Sequence, residues 1–320
     1  QWRFEGRQPV EMLSGVVTGV MPEPLQEVEP GVLAGKATYH TVLTPKGKIV
    51  ADLRLWRRDE GDGVHLRADL SHGAAPALAE LLSRTLPPRL VKRVDLGDAT
   101  GMLTVLGPEA SRLLSATVLG LRVDQSDLDE LEEGELRMLA DSGGDQLLVI
   151  RNGDLSVPAF DVVGHRDVLR SAWRHLTQGG AARVGRDSWD VLRVEAGRPD
   201  YLTELADEII PVEAGIHDRA IDYDKGCYTG QEVIVRIRDR GRVNRSLRRL
   251  RLDIDAPLPE AGTELFRERD RPVGHLTSVA DSPREGKLAL AYVRREVEAG
   301  QTVHVGGLDG PRARVEELEV

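Results

Sequence analysis

The chain has 320 residues, 40% hydrophobic and 30% charged, enough for two or three compact units of ordinary globular composition. Its formal charge of −10 argues against duplex nucleic acid as a general partner, and its single cysteine excludes an intrachain disulfide and a Cys-only metal site. No apolar run is long enough to cross a bilayer, and Gln1-Trp2-Arg3-Phe4-Glu5-Gly6 lacks the basic-then-apolar order of a signal peptide, so a cytoplasmic location away from membranes is expected.

In chain order, short alternating runs such as Leu66–Leu70 and Leu103–Leu106 read as strands mixed with helical patterns. Ala74–Leu86 spaces Leu78, Leu81 and Leu82 along one helix face, and Pro87-Pro88 ends it. Residues 124–135 hold seven acids and no base. Like charges repel, so a solvated loop or exposed helix face without a functional role is expected there. Asp167–Leu176 predicts a second helix, with Val168, Leu169 and Ala172 on one side and Gly179-Gly180 closing it. Val191–Val194 reads as strand-like, with Glu195 at its end. This α+β alternation contains no GxGxxG turn, P-loop, HExxH, C-x-x-C or G-x-S-x-G elbow. The eight histidines show no ligand spacing, and no metal site is expected.

Beyond Gly241 the texture changes. Leu247–Leu252, Gly262–Phe266, Pro272–Val279, Lys287–Val293, Gln301–Val305 and Arg312–Leu318 are short apolar strands separated by Gly, Pro and Asp turns. That pattern predicts a small antiparallel barrel. The chain is thus expected to divide into residues 1–242, holding two α+β subdomains, and a barrel over 243–320.

The octapeptide Lys225-Gly226-Cys227-Tyr228-Thr229-Gly230-Gln231-Glu232 holds the lone cysteine between glycines. Such glycines permit tight turns and close backbone approach. Thr229-x-x-Glu232 has the form of a capping box, which predicts a helix from Gly230 to Arg240 stopped by Gly241. The β-branched Val233, Ile234, Val235 and Ile237 leave a strand as the alternative, one that would align the even-numbered arginines. A helix N-terminus and the nearby Lys225 would both favour a thiolate at Cys227. Residues 225–251 carry nine Lys/Arg against two acids, a stretch suited to a compact anion such as a phosphate or a polyglutamate tail. Arg236 is the nearest of these to the octapeptide along the helix.

Lys-Gly-Cys-Tyr-x-Gly-Gln-Glu resembles the signature of the YgfZ-type folate-binding proteins, relatives of the glycine-cleavage T-protein (aminomethyltransferase). Further stretches in the same order are similar to that family: Leu43-Thr44-Pro45-Lys46-Gly47, Leu106-Gly107-Pro108-Glu109-Ala110, Arg193-Val194-Glu195-Ala196-Gly197-Arg198-Pro199 and Leu288-Ala289-Leu290-Ala291-Tyr292-Val293. The resemblance implies a T-protein-like arrangement, two α+β domains around a central opening plus the C-terminal barrel. It implies tetrahydrofolate, or a one-carbon-substituted folate, in that opening. Glu195, Tyr228, Gly230, Gln231 and Arg236 would hold the folate, and Cys227 and Lys225 would carry chemistry beside it. Gly47–Leu53 is similar to the T-protein strand that bears a paired Asp-Asp, of which one is the catalytic acid; here Asp52 alone remains. The T-protein counterpart of the octapeptide also lacks the cysteine. The resemblance therefore implies a folate-binding protein that supports iron–sulfur cluster assembly or repair, and through it tRNA modification, with iron–sulfur proteins as partners. The alternatives are a folate-dependent aminomethyltransferase or demethylase, and a non-catalytic scaffold for an iron–sulfur enzyme.

Overall fold

A computed structural model describes residues 1–318 except 62, 120–121, 141–145, 207, 254–257 and 269–270. The chain opens with β1 (Trp2–Gly6), α1 (Pro9–Ser14), β2 (Gln26–Glu29), β3 (Val32–Lys36) and β4 (Thr38–Leu43). There follow β5 (Ile49–Glu60), β6 (Gly63–Leu70), α2 (Ala75–Thr85), β7 (Val91–Asp95) and β8 (Thr100–Leu106). Next come α3 (Ala110–Thr117), α4 (Gln125–Asp129), β9 (Glu135–Ala140), β10 (Gln146–Asn152), β11 (Ala159–His165) and α5 (Arg166–Gln178). Three helices lead into the last unit: α6 (Arg186–Glu195), α7 (His217–Ala220) and α8 (Gln231–Arg240). That unit is β12 (Arg245–Asp253), β13 (Glu264–Phe266), β14 (Gly274–Ser282), β15 (Gly286–Arg294), β16 (Thr302–Val305) and β17 (Arg312–Glu316).

Two antiparallel sheets and a closed barrel result. The first sheet runs β4-β5-β6-β1-β7, the second β2-β3-β9-β10-β11-β8, and the barrel β12-β15-β14-β13-β16-β17. The expected α+β fold with a C-terminal antiparallel barrel is therefore present. The two sheets are interleaved in sequence, because the β2–β3 hairpin belongs to the second sheet although all four of its other strands follow β7.

Alternation explains the packing. On β15, Ala289, Ala291 and Val293 fill the barrel, while Leu288, Leu290 and Tyr292 face outward into the core of the first sheet. On β11, Phe160 and Val162 join α3 and α5 in a second core. Val163, on the opposite face, meets Trp56 of β5, so the two sheets pack face to face through Trp56, Met138, Leu148 and Ile150. The helix over Asp167–Leu176 extends to Gln178 with Leu169, Ala172 and Leu176 buried along one stripe.

One expectation is overturned here. Val191–Val194 is helical, not strand-like, and Glu195 is the last residue of α6. A run of four residues cannot settle period 2 against period 3.6; burial of Val194 and Glu195, three and four residues after Val191, shows the helical spacing.

Candidate functional site

The space between the two sheets is lined by charge. A cavity of about 440 Å³ is walled by Tyr39 and Arg54 of the first sheet, by Lys36 and Arg151 of the second, and by Glu133, Asp154 and Arg219. The Arg219 guanidinium bonds Asp154 at 2.8 Å, pairs with Glu133 and stacks 4.6 Å from the Tyr39 ring. Arg54 ties the sheets together, reaching Asp69 of β6 at 3.2 Å and Asp161 of β11 at 2.7 Å. Burial alone would depress both guanidinium groups. The carboxylates around them, Asp154 and Glu133 for Arg219 and Asp161 and Asp69 for Arg54, hold them above their ordinary range instead.

Asp52 stands behind Tyr39. The two lie on adjacent paired strands, β5 and β4, and the Tyr39 hydroxyl donates to Asp52 Oδ2 at 2.9 Å. Burial pushes the Asp52 carboxyl from 3.8 to about 6, and the nearby Ser71 and Tyr39 hydroxyls pull it back only in part. Asp52 Oδ1 is left buried without a well-formed hydrogen bond among the described residues. The Tyr39 phenol is raised well above its usual range, first by burial and then by Asp52. The pair is thus an acid–base group poised near neutral pH beside a phenol that keeps its proton.

The octapeptide packs against the loops that flank β4. Lys225 Nζ donates to the carbonyls of Val17 at 2.9 Å and Gly19 at 3.0 Å, and burial lowers it to about 8. Gly19 N–H in turn donates to His40 Nδ1 on β4; burial, with Lys225 second, depresses that imidazole to about 3. Gly230 has φ +86°, and a Cβ there would lie 2.7 Å from Thr44 O and 3.2 Å from Gly47 Cα. The octapeptide and the Leu43–Gly47 stretch are therefore pressed together in space. Tyr228 is buried with its hydroxyl unpartnered among the described residues, its ring 5.8 Å from Lys225 Nζ. Cys227 is an exposed free thiol.

The structure gathers some of the sequence-derived residues and separates others. Asp52, Lys225, Tyr228 and Gly230 all pack into the first-sheet region. Lys225 spends its hydrogen bonds on carbonyls, and none reaches the Cys227 thiol among the described residues. The capping box does not form: Gly230, in the left-handed conformation, takes the N-cap place, and no side chain among the described residues caps the helix. Thr229 is one residue too early, and Glu232 and Arg236 are exposed. Gln231 is half-buried on the first turn of α8. Glu195 faces elsewhere. Its carboxylate is buried against Ser156, Ser282 and Arg284, at the contact of α6 with the barrel. Those donors outweigh burial and hold it below the usual carboxylate range.

Sequence reasoning missed Tyr39, Arg54, Glu133, Asp154 and Arg219. Glu133 lay within the acidic run read as solvated, yet it pairs with the buried Arg219. Its partner lies far along the chain and in another element, so no local pattern marked either. Among the described residues there is no cluster of metal-ligand type, and no helix is long and apolar enough to cross a membrane.

Comparison with known proteins agrees with this architecture. Residues 5–225 match the GCVT N-terminal domain, and residues 245–317 match the glycine cleavage T-protein C-terminal barrel domain. A protein of Rubrobacter xylanophilus named aminomethyltransferase is 32% identical over 83% of this chain and 68% of its own. Another of that name from Corynebacterium jeikeium is 30% identical over 82% of this chain and 70% of its own. The crystal structure of glycine cleavage system aminomethyltransferase T from Bartonella henselae superposes with a TM-score of 0.79 at 20% identity, covering 99% of this chain and 82% of that one, a likeness of fold. The chain belongs to the glycine cleavage T-protein family.

Proposed function

We propose that the chain binds a reduced folate between its two sheets and transfers a one-carbon unit of the aminomethyl type, with Asp52 as the acid–base group. The observation that carries this reading is the buried Asp52 carboxyl, held by Tyr39 beside the inter-sheet cavity and raised to about 6. The residues fit the group. Arg219 Nε, on the cavity wall, is buried without a hydrogen-bond partner among the described residues, a donor that suits the carbonyl edge of a pterin, and Asp52 Oδ1, behind Tyr39, lacks a well-formed one there. Tetrahydrofolate, when bound, supplies the secondary amine nitrogens that accept a one-carbon unit. Asp52 exchanges a proton near neutral pH, Tyr39 orients it, and Arg219, fixed by Asp154 and Glu133, would help to hold the folate.

The test is calorimetric titration with tetrahydrofolate followed by single-turnover assay with a methylamine-type donor. Asp52→Asn should leave affinity within a few-fold and cut turnover by about 10²-fold or more. Wild-type turnover unaffected by that change would sink the reading.

The exposed thiol of Cys227 favours a second reading, in which folate is bound without turnover and the protein supports iron–sulfur cluster assembly or repair. Under it, Cys227→Ala lowers iron–sulfur enzyme activity in cells while Asp52→Asn does not. Absence of folate binding by correctly folded protein would count against both.

A further inference from the structure

An open sheet offers its edge strands' unpaired N–H and C=O groups to other chains unless those edges are blunted. The closed barrel has no edge. β2 carries Glu27 and Glu29 and a shift of register between them; β7 carries Lys92, Arg93 and Asp95. β4 is covered by residues 17–18, through the Val17–Val42 bridge and the Thr18 N–H bond to Thr41 O. β8 differs. Its sequence, Thr-Gly-Met-Leu-Thr-Val-Leu, holds no charged residue, and among the described residues it pairs only with β11.

β8 also forms one side of two adjoining hollows that share Leu103 and Trp173. One, of about 350 Å³, is lined by Leu103, Val105, Trp173, Leu176 and Val184. The other, shallower and of about 600 Å³, lies between Met102 and the first turns of α5. Trp173 and Val184 are 41% and 49% exposed beside Leu103 and Val105 on one face of β8, so large apolar side chains line the groove there; Met102 turns to the other face, where Arg54 meets its sulfur at 3.6 Å. Its rim is basic. Arg166, Arg170 and Arg174 recur every fourth residue on α5, and Arg183 stacks over Trp173 at 5.9 Å. Arg170 pairs with Asp167, but among the described residues no carboxylate pairs with Arg166, Arg174 or Arg183.

We infer that β8 and this groove dock an extended, acidic segment of another protein, which adds a strand to the β8 edge. On the face of that segment turned to α5, apolar side chains enter the hollow beside Trp173 and carboxylates meet Arg166, Arg174 and Arg183. On a chain of net charge −10, a rim of unpaired arginines selects an acidic partner by contrast with its surroundings. A second copy of the chain fits poorly, because pairing β8 with its own twofold mate brings two arginine rims together. Nor can the acidic run at 124–135 serve as the occupant: Leu128 and Leu131 are buried and Asp127 is tied to Arg137 at 2.6 Å.

The test is to pan a phage-displayed library of random peptides, about twelve residues long, against the full chain, then synthesise the enriched sequences. Peptides that carry large apolar residues and acids on the same strand face, two residues apart, are expected. They should bind the Arg174→Glu/Arg183→Glu variant at least about tenfold more weakly and weaken with added salt. Bound peptide should also slow hydrogen exchange at β8 amides. Enrichment of non-acidic sequences, equal binding to the variant, unchanged exchange at β8, or no enrichment at all would overturn the proposal. So would sedimentation showing that wild type self-associates through this face and the variant does not.

Discussion

Burying a carboxyl that must still ionise near neutral pH works against stability, and Asp52 shows the conflict. Its folded value, about 6, exceeds the 3.8 of an exposed aspartate, so the folded chain binds more protons between those limits. The Asp52 contribution to stability therefore falls as pH rises from about 4 to 6 and stays low above, a loss of at most about 3 kcal/mol. Asp52→Asn should raise the melting temperature at pH 8, with a smaller gain at pH 4, while cutting the turnover proposed for it. Equal melting shifts at both pH values would contradict this account. Gly230 presents a backbone constraint instead of an electrostatic one. Gly230→Ala forces φ +86° on a residue with a Cβ and drives that atom to 2.7 Å from Thr44 O. Urea denaturation should show a loss of about 1–3 kcal/mol. Lys225 and Gly230 drew attention in the sequence because they sit in one short motif, and Asp52 because the stretch around it resembles the T-protein strand with its paired aspartates. Arg219 and Glu133 were not, because each has meaning only through the other.

At the scale of elements, α6 is fastened to the barrel by a buried polar clamp. Arg193 Nη2 donates to Ser278 of β14 at 2.7 Å and Nη1 to Glu204 at 3.1 Å, while Glu204 is wholly buried and also accepts from Ser278. Glu204→Ala leaves the Arg193 guanidinium buried with less to balance it, a cost of about 3–5 kcal/mol. Arg193→Met with Glu204→Leu removes both charges and should recover most of that loss; a double-mutant cycle by chemical denaturation measures the difference. The helix bearing this clamp was misread as a strand because its visible portion was short and β-branched. The barrel strands were readable for the opposite reason. Each alternates between an apolar interior and an outer face, and turn residues mark their ends, as β15 shows with Ala289, Ala291 and Val293 inside.

For the whole molecule, the barrel is part of the folding unit and not an appendage. Leu247, Leu288, Leu290 and Tyr292 project from its outer face into the core of the first sheet, and the Tyr292 hydroxyl donates to Glu204 O at 3.0 Å. A chain cut after Gly241 should therefore lose cooperative unfolding and bind the dye ANS, whereas independent domains would leave a sharp transition in residues 1–241. The sequence announced the barrel as a separate texture, but it could not reveal this shared core or the interleaving of the two sheets. Both depend on pairings between distant segments, such as Val32 with Leu139. That pairing sets a timetable for a chain emerging from the ribosome. The first sheet has all its strands once β7 has been made, and it can close around a hairpin that has nowhere to go. β2 and β3 must then wait, solvent-exposed, through the synthesis of everything up to β9. β3 ends at Lys36 and β9 begins at Glu135, so the earliest part of the second sheet finds its partner only after about a hundred further residues have been made, an interval in which the hairpin is exposed to a chaperone's protection or to misassembly.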